Sequence, residues 1–185
     1  FETACKNKLL LWKWGIDGDS FEGYLFPETY QLSEEESSQE IINRMVEEYK
    51  KHFTDNFQDR RKKIGMSEKE VIILASIIEG EAIYNRERPL ISGVYHNRLE
   101  RGMRLQADPT IQYIVDDGPR RLFNKDLKIK SPYNTYLNYG LPPGPINNPG
   151  IESIKAALFP ANTENLYFVA RGDGYHTFSQ TKKEH

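Results

Sequence analysis

The sequence predicts an α+β fold, a helix-rich domain with short strands and a C-terminal β-hairpin. Three observations carry that expectation. Apolar residues recur at helical spacing between Ser38 and Ile64 and crowd the stretch from Val71 onward. A loop-rich region with six prolines, Gly118 to Pro149, follows the helical part. Near the end, "NLYFVARGDGYHTFSQ" reads as two strands turning at Gly172-Asp173-Gly174.

Taken in order, Phe1 to Leu32 is aromatic-rich and irregular, and Pro27 interrupts "EGYLFPETYQL". It reads as a strand or extended segment, residues 1–32, packing on a domain that spans 33–185. From Ser38 to Ile64 one surface helix is expected, with Ile41, Ile42, Met45, Val46, Tyr49 and Phe53 on its apolar face. Ser67 and Glu70 form a capping box, so a second helix should begin at Glu68 and pass through Glu81. A third starts near Asn85, tolerates Pro89 in its first turns and stops at Gly102. Asp108, with Pro109 at the first position, opens the short helix "DPTIQYIV". "PGIESIKAALFP" supplies the last helix, and Tyr133, Tyr136 and Tyr139 argue that the proline-rich loop is ordered.

Composition narrows the function. The 185 residues fit one domain with a small appendage, long enough to bury a core. Lys plus Arg number 25 against 27 Asp plus Glu, a formal charge of -2, which argues against a nucleic-acid surface. Four scattered histidines lack metal-ligand spacing, so no structural metal is expected. The single cysteine, Cys5, cannot form an internal disulfide. No apolar run reaches the roughly 18 residues of a membrane span. The chain opens on Phe1 and reads as part of something longer.

The stretch "VIILASIIEGEAIYNRERP" poses the chemical question, because it sets Glu79 and Glu81 beside a long aliphatic run. Two residues apart on a helix, they point about 160° away from each other. They do not form the facing carboxylate pair of ordinary glycosidases. Apolar positions cover most of the circumference, so the helix is buried. Glu79 lies beside Ala75 and Ala82, small neighbours that leave room for a cleft. In the competing reading each glutamate pairs with one of Arg86, Arg88, Arg98 or Arg104 as a structural salt bridge.

The runs "LASIIEGEA", "ERPLISGVYHNRLERGMRLQADPTIQY", "SPYNTY", "GLPPGPINNPG", "IKAALFPA" and "LYFVARGDGYHTFS" occur in the order found in one family. Together with "FEGYLFPETY", they closely resemble the endolytic murein transglycosylase family, also called the YceG-like family. The resemblance implies cleavage of the β-1,4 bond between N-acetylmuramic acid and N-acetylglucosamine inside peptidoglycan strands, leaving 1,6-anhydro ends and terminating nascent strands. It places the catalytic glutamate at Glu79, on the buried helix, and calls for no cofactor or metal. The implied partners are glycan strands, with peptidoglycan synthases as a further class. The implied location is the outer side of the cytoplasmic membrane, through an N-terminal anchor and a LysM-like subdomain that these residues do not include.

Such chemistry needs a carboxyl still protonated near neutral pH, against a reference value of about 4.3, and an apolar setting raises it. The expectation is therefore a lone Glu79, free of any guanidinium, at the floor of a groove. Candidates for gripping the polymer are Gln106, Asp108, Tyr133, Asn134 and Tyr136, whose amide, carboxylate and phenol groups suit sugar hydroxyl and acetamido groups. In the plainer alternative Asp108 only caps its helix and the tyrosines only pin a loop. Two other functions compete: a glycan-binding module that cuts nothing, and a muramidase that uses water with Asp108 or Glu81 as second carboxylate.

Overall fold

A computed structural model describes residues 1–184. Eight α-helices and one two-stranded antiparallel sheet are present among them. In chain order they are α1 (Glu2–Cys5), α2 (Lys8–Trp14), α3 (Ser38–His52), α4 (Asp55–Lys63), α5 (Glu68–Glu81), α6 (Arg88–Glu100), α7 (Asp108–Ile114), α8 (Ile151–Leu158), β1 (Tyr167–Ala170) and β2 (His176–Ser179). A 3₁₀ turn, Asn85–Glu87, leads into α6. No described helix is long and apolar enough to cross a membrane.

The centre of the molecule is α5. Ser67 accepts from the Glu70 backbone N–H and Glu70 from that of Ser67, so the capping box fixes the start where the sequence put it. Every residue from Val71 to Ile78 is buried, because α8, α6, α7 and α4 all pack around this helix. Burying side chains of this size contributes roughly 1.5–3 kcal/mol each. The proline-rich loop is stitched to the same helix: the Ile146 N–H donates to Ser76 Oγ (3.1 Å) and Asn147 Nδ2 to the Ser76 carbonyl (2.8 Å).

Two expectations need correction. Residues 1–32 contain no strand. Asn7 caps α2 by accepting from the Leu9 and Leu10 N–H groups, and Gly15 ends it at φ +66, a local helix signal stronger than the aromatic content. After α2 the segment turns inward and buries Phe21, Tyr24, Leu25 and Phe26. Gly23, at φ +90, lies so close to Pro145 that a Cβ would come within 2.4 Å of its ring. The expected single helix from Ser38 to Ile64 is two, α3 and α4, broken at Phe53 and Thr54. Phe53 keeps the apolar spacing and stays buried, but Thr54 followed by Asp55 starts a new helix.

The C-terminal hairpin forms as expected, with Tyr167 opposite Ser179 and Ala170 opposite His176. It is anchored by Glu87, whose Oε2 lies 3.0 Å from His176 Nδ1 and whose Oε1 accepts from the His176 N–H at 3.0 Å. His176 is thus a satisfied, largely buried histidine rather than an open ligand.

Candidate active site

The last turn of α5 carries both glutamates, and the helix presents them to different neighbours. Gly80 between them is needed for close packing: a Cβ there would lie 2.7 Å from the Pro109 ring. Its absence lets α7 approach the end of α5 and brings Asp108 beside Glu81.

Glu79 is neither lone nor free of a guanidinium. Its Oε1 accepts from Arg88 Nη2 at 3.2 Å, and its Oε2 from the Gly150 N–H at 3.0 Å. Arg88 also donates to Asn85 Oδ1 (3.0 Å) and to Ser153 Oγ (2.8 Å). Its side chain is only 10% exposed against 30% for Glu79. Glu79 therefore ties α5, α6 and the start of α8 together, and the environment expected for it is not there.

Glu81 is the carboxyl of the two that burial perturbs. Burial is the main cause that pushes its carboxyl up to about 7, and the carboxylate of Asp108 adds to the push. Three groups pull the other way: the Tyr95 hydroxyl, the Arg98 guanidinium and the Asp108 backbone N–H. Tyr95, on α6 and 1% exposed, donates to Glu81 Oε1 at 2.8 Å. Arg98 is buried with its Nε on the Leu166 carbonyl (2.7 Å) and Nη1 on the Leu105 carbonyl (2.6 Å). Part of Glu81 reaches a cavity of about 710 Å³ whose wall includes Asp108, Gln112, Tyr113 and Asn147.

The binding candidates divide in the same way. Asp108 is exposed, its side chain caps nothing, and its Oδ1 accepts from the Tyr136 hydroxyl. Gln106 adjoins this cluster with an exposed side chain and a left-handed backbone at φ 49. That conformation is uncommon for a residue with a Cβ and is held here by its N–H on the Thr135 carbonyl at 3.1 Å. Tyr133 lines a second, smaller cavity and packs on Tyr113.

Asn134 does not belong with them. It is fully buried, its Nδ2 donates to the carbonyls of Leu127 (3.1 Å) and Ile129 (2.7 Å), and its Oδ1 accepts from the Tyr136 N–H (2.8 Å). It shapes the loop and has no surface for a ligand.

Sequence reading missed Tyr95 and Tyr113, although both stand inside the quoted motifs. Tyr113 was legible as the aromatic five residues beyond Asp108. Tyr95 was not, because only the packing of α6 on α5 brings its hydroxyl to Glu81.

The sequence pattern of the YceG-like family matches residues 2–185. The endolytic murein transglycosylase of Bacillus subtilis is 42% identical over 164 residues, which are 89% of this chain and 46% of that protein. That of Streptococcus pneumoniae is 34% identical over 154 residues, 80% of this chain and 28% of that protein. The chain thus spans about half the length of the first relative and less of the second. A crystal structure of a YceG-like protein from Listeria monocytogenes superposes with a TM-score of 0.88 at 35% identity, over 98% of this chain and 64% of that one. With the pattern matched almost from end to end and the fold shared, the chain belongs to the YceG-like family.

Proposed function

We propose that this chain is the catalytic domain of an endolytic peptidoglycan transglycosylase in which Glu81, not Glu79, is the acid. The observation that carries the reading is the Glu81 carboxyl, pushed by burial up to about 7 and opening into a cavity of about 710 Å³. The names of the Bacillus and Streptococcus relatives supply the substrate class.

In this reading protonated Glu81 gives its proton to the glycosidic oxygen as the bond from the muramyl C1 to that oxygen breaks. The 6-hydroxyl oxygen of the same muramyl sugar bonds to C1, and the Glu81 carboxylate takes the hydroxyl proton. The acid is regenerated and the product end is a 1,6-anhydro sugar. Acid and base action of one well-placed group contributes roughly 10²–10⁴-fold, and intramolecular attack supplies more through orientation. Asp108, Tyr136 and Gln106 bind the sugars flanking the bond, and the negative charge of Asp108 favours the cationic anomeric carbon.

Attachment through an N-terminal membrane anchor, action outside the cytoplasmic membrane, contact with synthases, and residues 1–32 as a junction to a preceding subdomain belong to the same reading. They rest on the family resemblance. A second reading has one observation in its favour: Asp108 shares the cavity with Glu81, so it could activate water and leave reducing ends.

Mass spectrometry of peptidoglycan digested by the full-length protein separates these. Anhydro-muramyl ends lost on Glu81→Gln support the transglycosylase. Reducing ends lost on Asp108→Asn support the hydrolase. Undiminished cleavage by a folded Glu81→Gln variant removes Glu81 from the mechanism.

A further inference from the structure

The Glu81 cavity is lined by several residues of α7: Asp108, Pro109, Gln112 and Tyr113. Its far wall is Tyr113, which lines the same space as Glu81 and Asp108. This ring is 38% exposed. It is also fixed on both sides. The Tyr113 hydroxyl donates to Glu22 Oε2 at 2.7 Å, and the ring packs on Tyr133 with centroids 4.8 Å apart, tilted 42°.

Across this pair lies a second space. Tyr133 lines a second cavity of about 190 Å³ together with Glu22, Ser20 and Pro145. Pro145 adjoins Ile146, which lines the first cavity. The two spaces are thus neighbours across the Tyr113–Tyr133 pair. An immobilised aromatic face flanked by carboxylate groups suits a ligand with one apolar face and a polar rim. A pyranose ring has that form, with its C–H groups on one face and hydroxyl or acetamido groups at its edge. Asp108, exposed in the same wall, can meet that edge.

We infer that Tyr113 is the stacking platform of a saccharide subsite next to Glu81, with Glu22 and Tyr133 as the positioning residues that hold the ring. The occupant is an N-acetylated hexosamine of the strand being cut, one or more residues from the scissile bond. The inference rests on the reading of Glu81 as catalytic acid but concerns binding, so the two can fail separately. It also gives the N-terminal segment a role in the site through Glu22.

The test uses the Glu81→Gln protein, which should bind without turnover, and peptide-free glycan oligomers prepared by amidase treatment of peptidoglycan. Isothermal titration should show binding about 10-fold weaker after Tyr113→Ala. Tyr113→Phe keeps the ring but loses the Glu22 bond that orients it, and should bind about 3-fold more weakly than the parent, between it and the alanine variant. Tyr113→Trp should bind at least as tightly, which keeps the test informative if the alanine variant does not fold. Unchanged affinity in a folded Tyr113→Ala variant overturns the inference, as does an equal loss in the Phe and Ala variants. Oligomers that bind through Tyr113 but are never cut by the wild type would leave the subsite standing and refute the catalytic reading.

Discussion

Glu79 and Glu81 leave the same turn of α5 in opposite directions, and each meets what another element brings. On one side α6 and α8 deliver Arg88 and the Gly150 N–H, which hold Glu79 as a tie between three helices. On the other, α6 and α7 deliver Tyr95 and Asp108, a phenol and a second carboxylate, around a half-buried Glu81. Burial next to another carboxylate favours the neutral form of Glu81. The aliphatic run that precedes both residues does not distinguish them. Whether a carboxyl is held in an ion pair or pushed toward its neutral form is decided by the side chains packed onto it from elsewhere in the chain.

Exchanging each carboxyl for its amide is the most severe way to break this comparison. Glu81→Gln should lower cleavage by roughly 10²–10⁴-fold while the protein stays folded. Glu79→Gln should keep most of the activity per folded molecule. Release of soluble muropeptides, normalised to folded protein by circular dichroism, checks both. The reverse pattern would return the acid to Glu79.

The pH dependence of stability comes next in size. Glu81 is held at about 7 in the fold against a reference of 4.5. Between those values the native state binds more protons than the unfolded chain, so stability falls as pH rises and the loss is complete above 7. Full burial would make this about 3 kcal/mol, and the edge of Glu81 that reaches the cavity lowers it. Glu81→Gln lacks the slope. Its stability relative to wild type should therefore rise between pH 4.5 and 7, as urea unfolding at pH 4 and pH 8 can measure. A constant difference would show that Glu81 titrates normally.

On the other face the expectation concerns stability alone. Glu79→Ala leaves the Arg88 guanidinium, 10% exposed, without its carboxylate and the Gly150 N–H without its acceptor. The residual exposure of Glu79 keeps the loss near 2 kcal/mol, below that of a fully buried pair. Thermal unfolding at neutral pH measures it. A loss of only a few tenths would mean that Arg88 is held well enough by Asn85 and Ser153.

Much of the framework was legible because its signals are local. The Ser67–Glu70 box fixes α5, Pro89 and Gly102 bracket α6, and Gly172 and Gly174 turn the hairpin. The candidate site was legible only as a neighbourhood. Asp108 and Tyr136 do meet near the end of α5, but Asn134 turned inward to satisfy backbone carbonyls. The acid we propose lies two residues beyond the Glu79 that the sequence pointed to. That choice depends on which of Arg88 and Tyr95, seven residues apart on α6, faces which glutamate, and no periodicity in α5 encodes it.

The finest test replaces only the Tyr95 hydroxyl. Its hydrogen bond favours the ionised form of Glu81, so Tyr95→Phe removes one of the groups that hold the carboxyl down. Arg98 from α6, the Asp108 N–H and carboxylate from α7, and Tyr136 from the loop still face the cluster. The Glu81 carboxyl should therefore move up from about 7, and the acid should stay protonated to higher pH. The alkaline limb of the activity profile should follow it upward by up to about one pH unit, with KM unchanged. Loss of the buried hydrogen bond should also lower stability by about 1 kcal/mol. The two readouts separate tuning from packing: a phenol that only fills space would lower stability without moving the limb. A limb that moved downward would mean that the hydroxyl favours the neutral acid, and the difference between the two glutamates would then rest on burial and Asp108 alone.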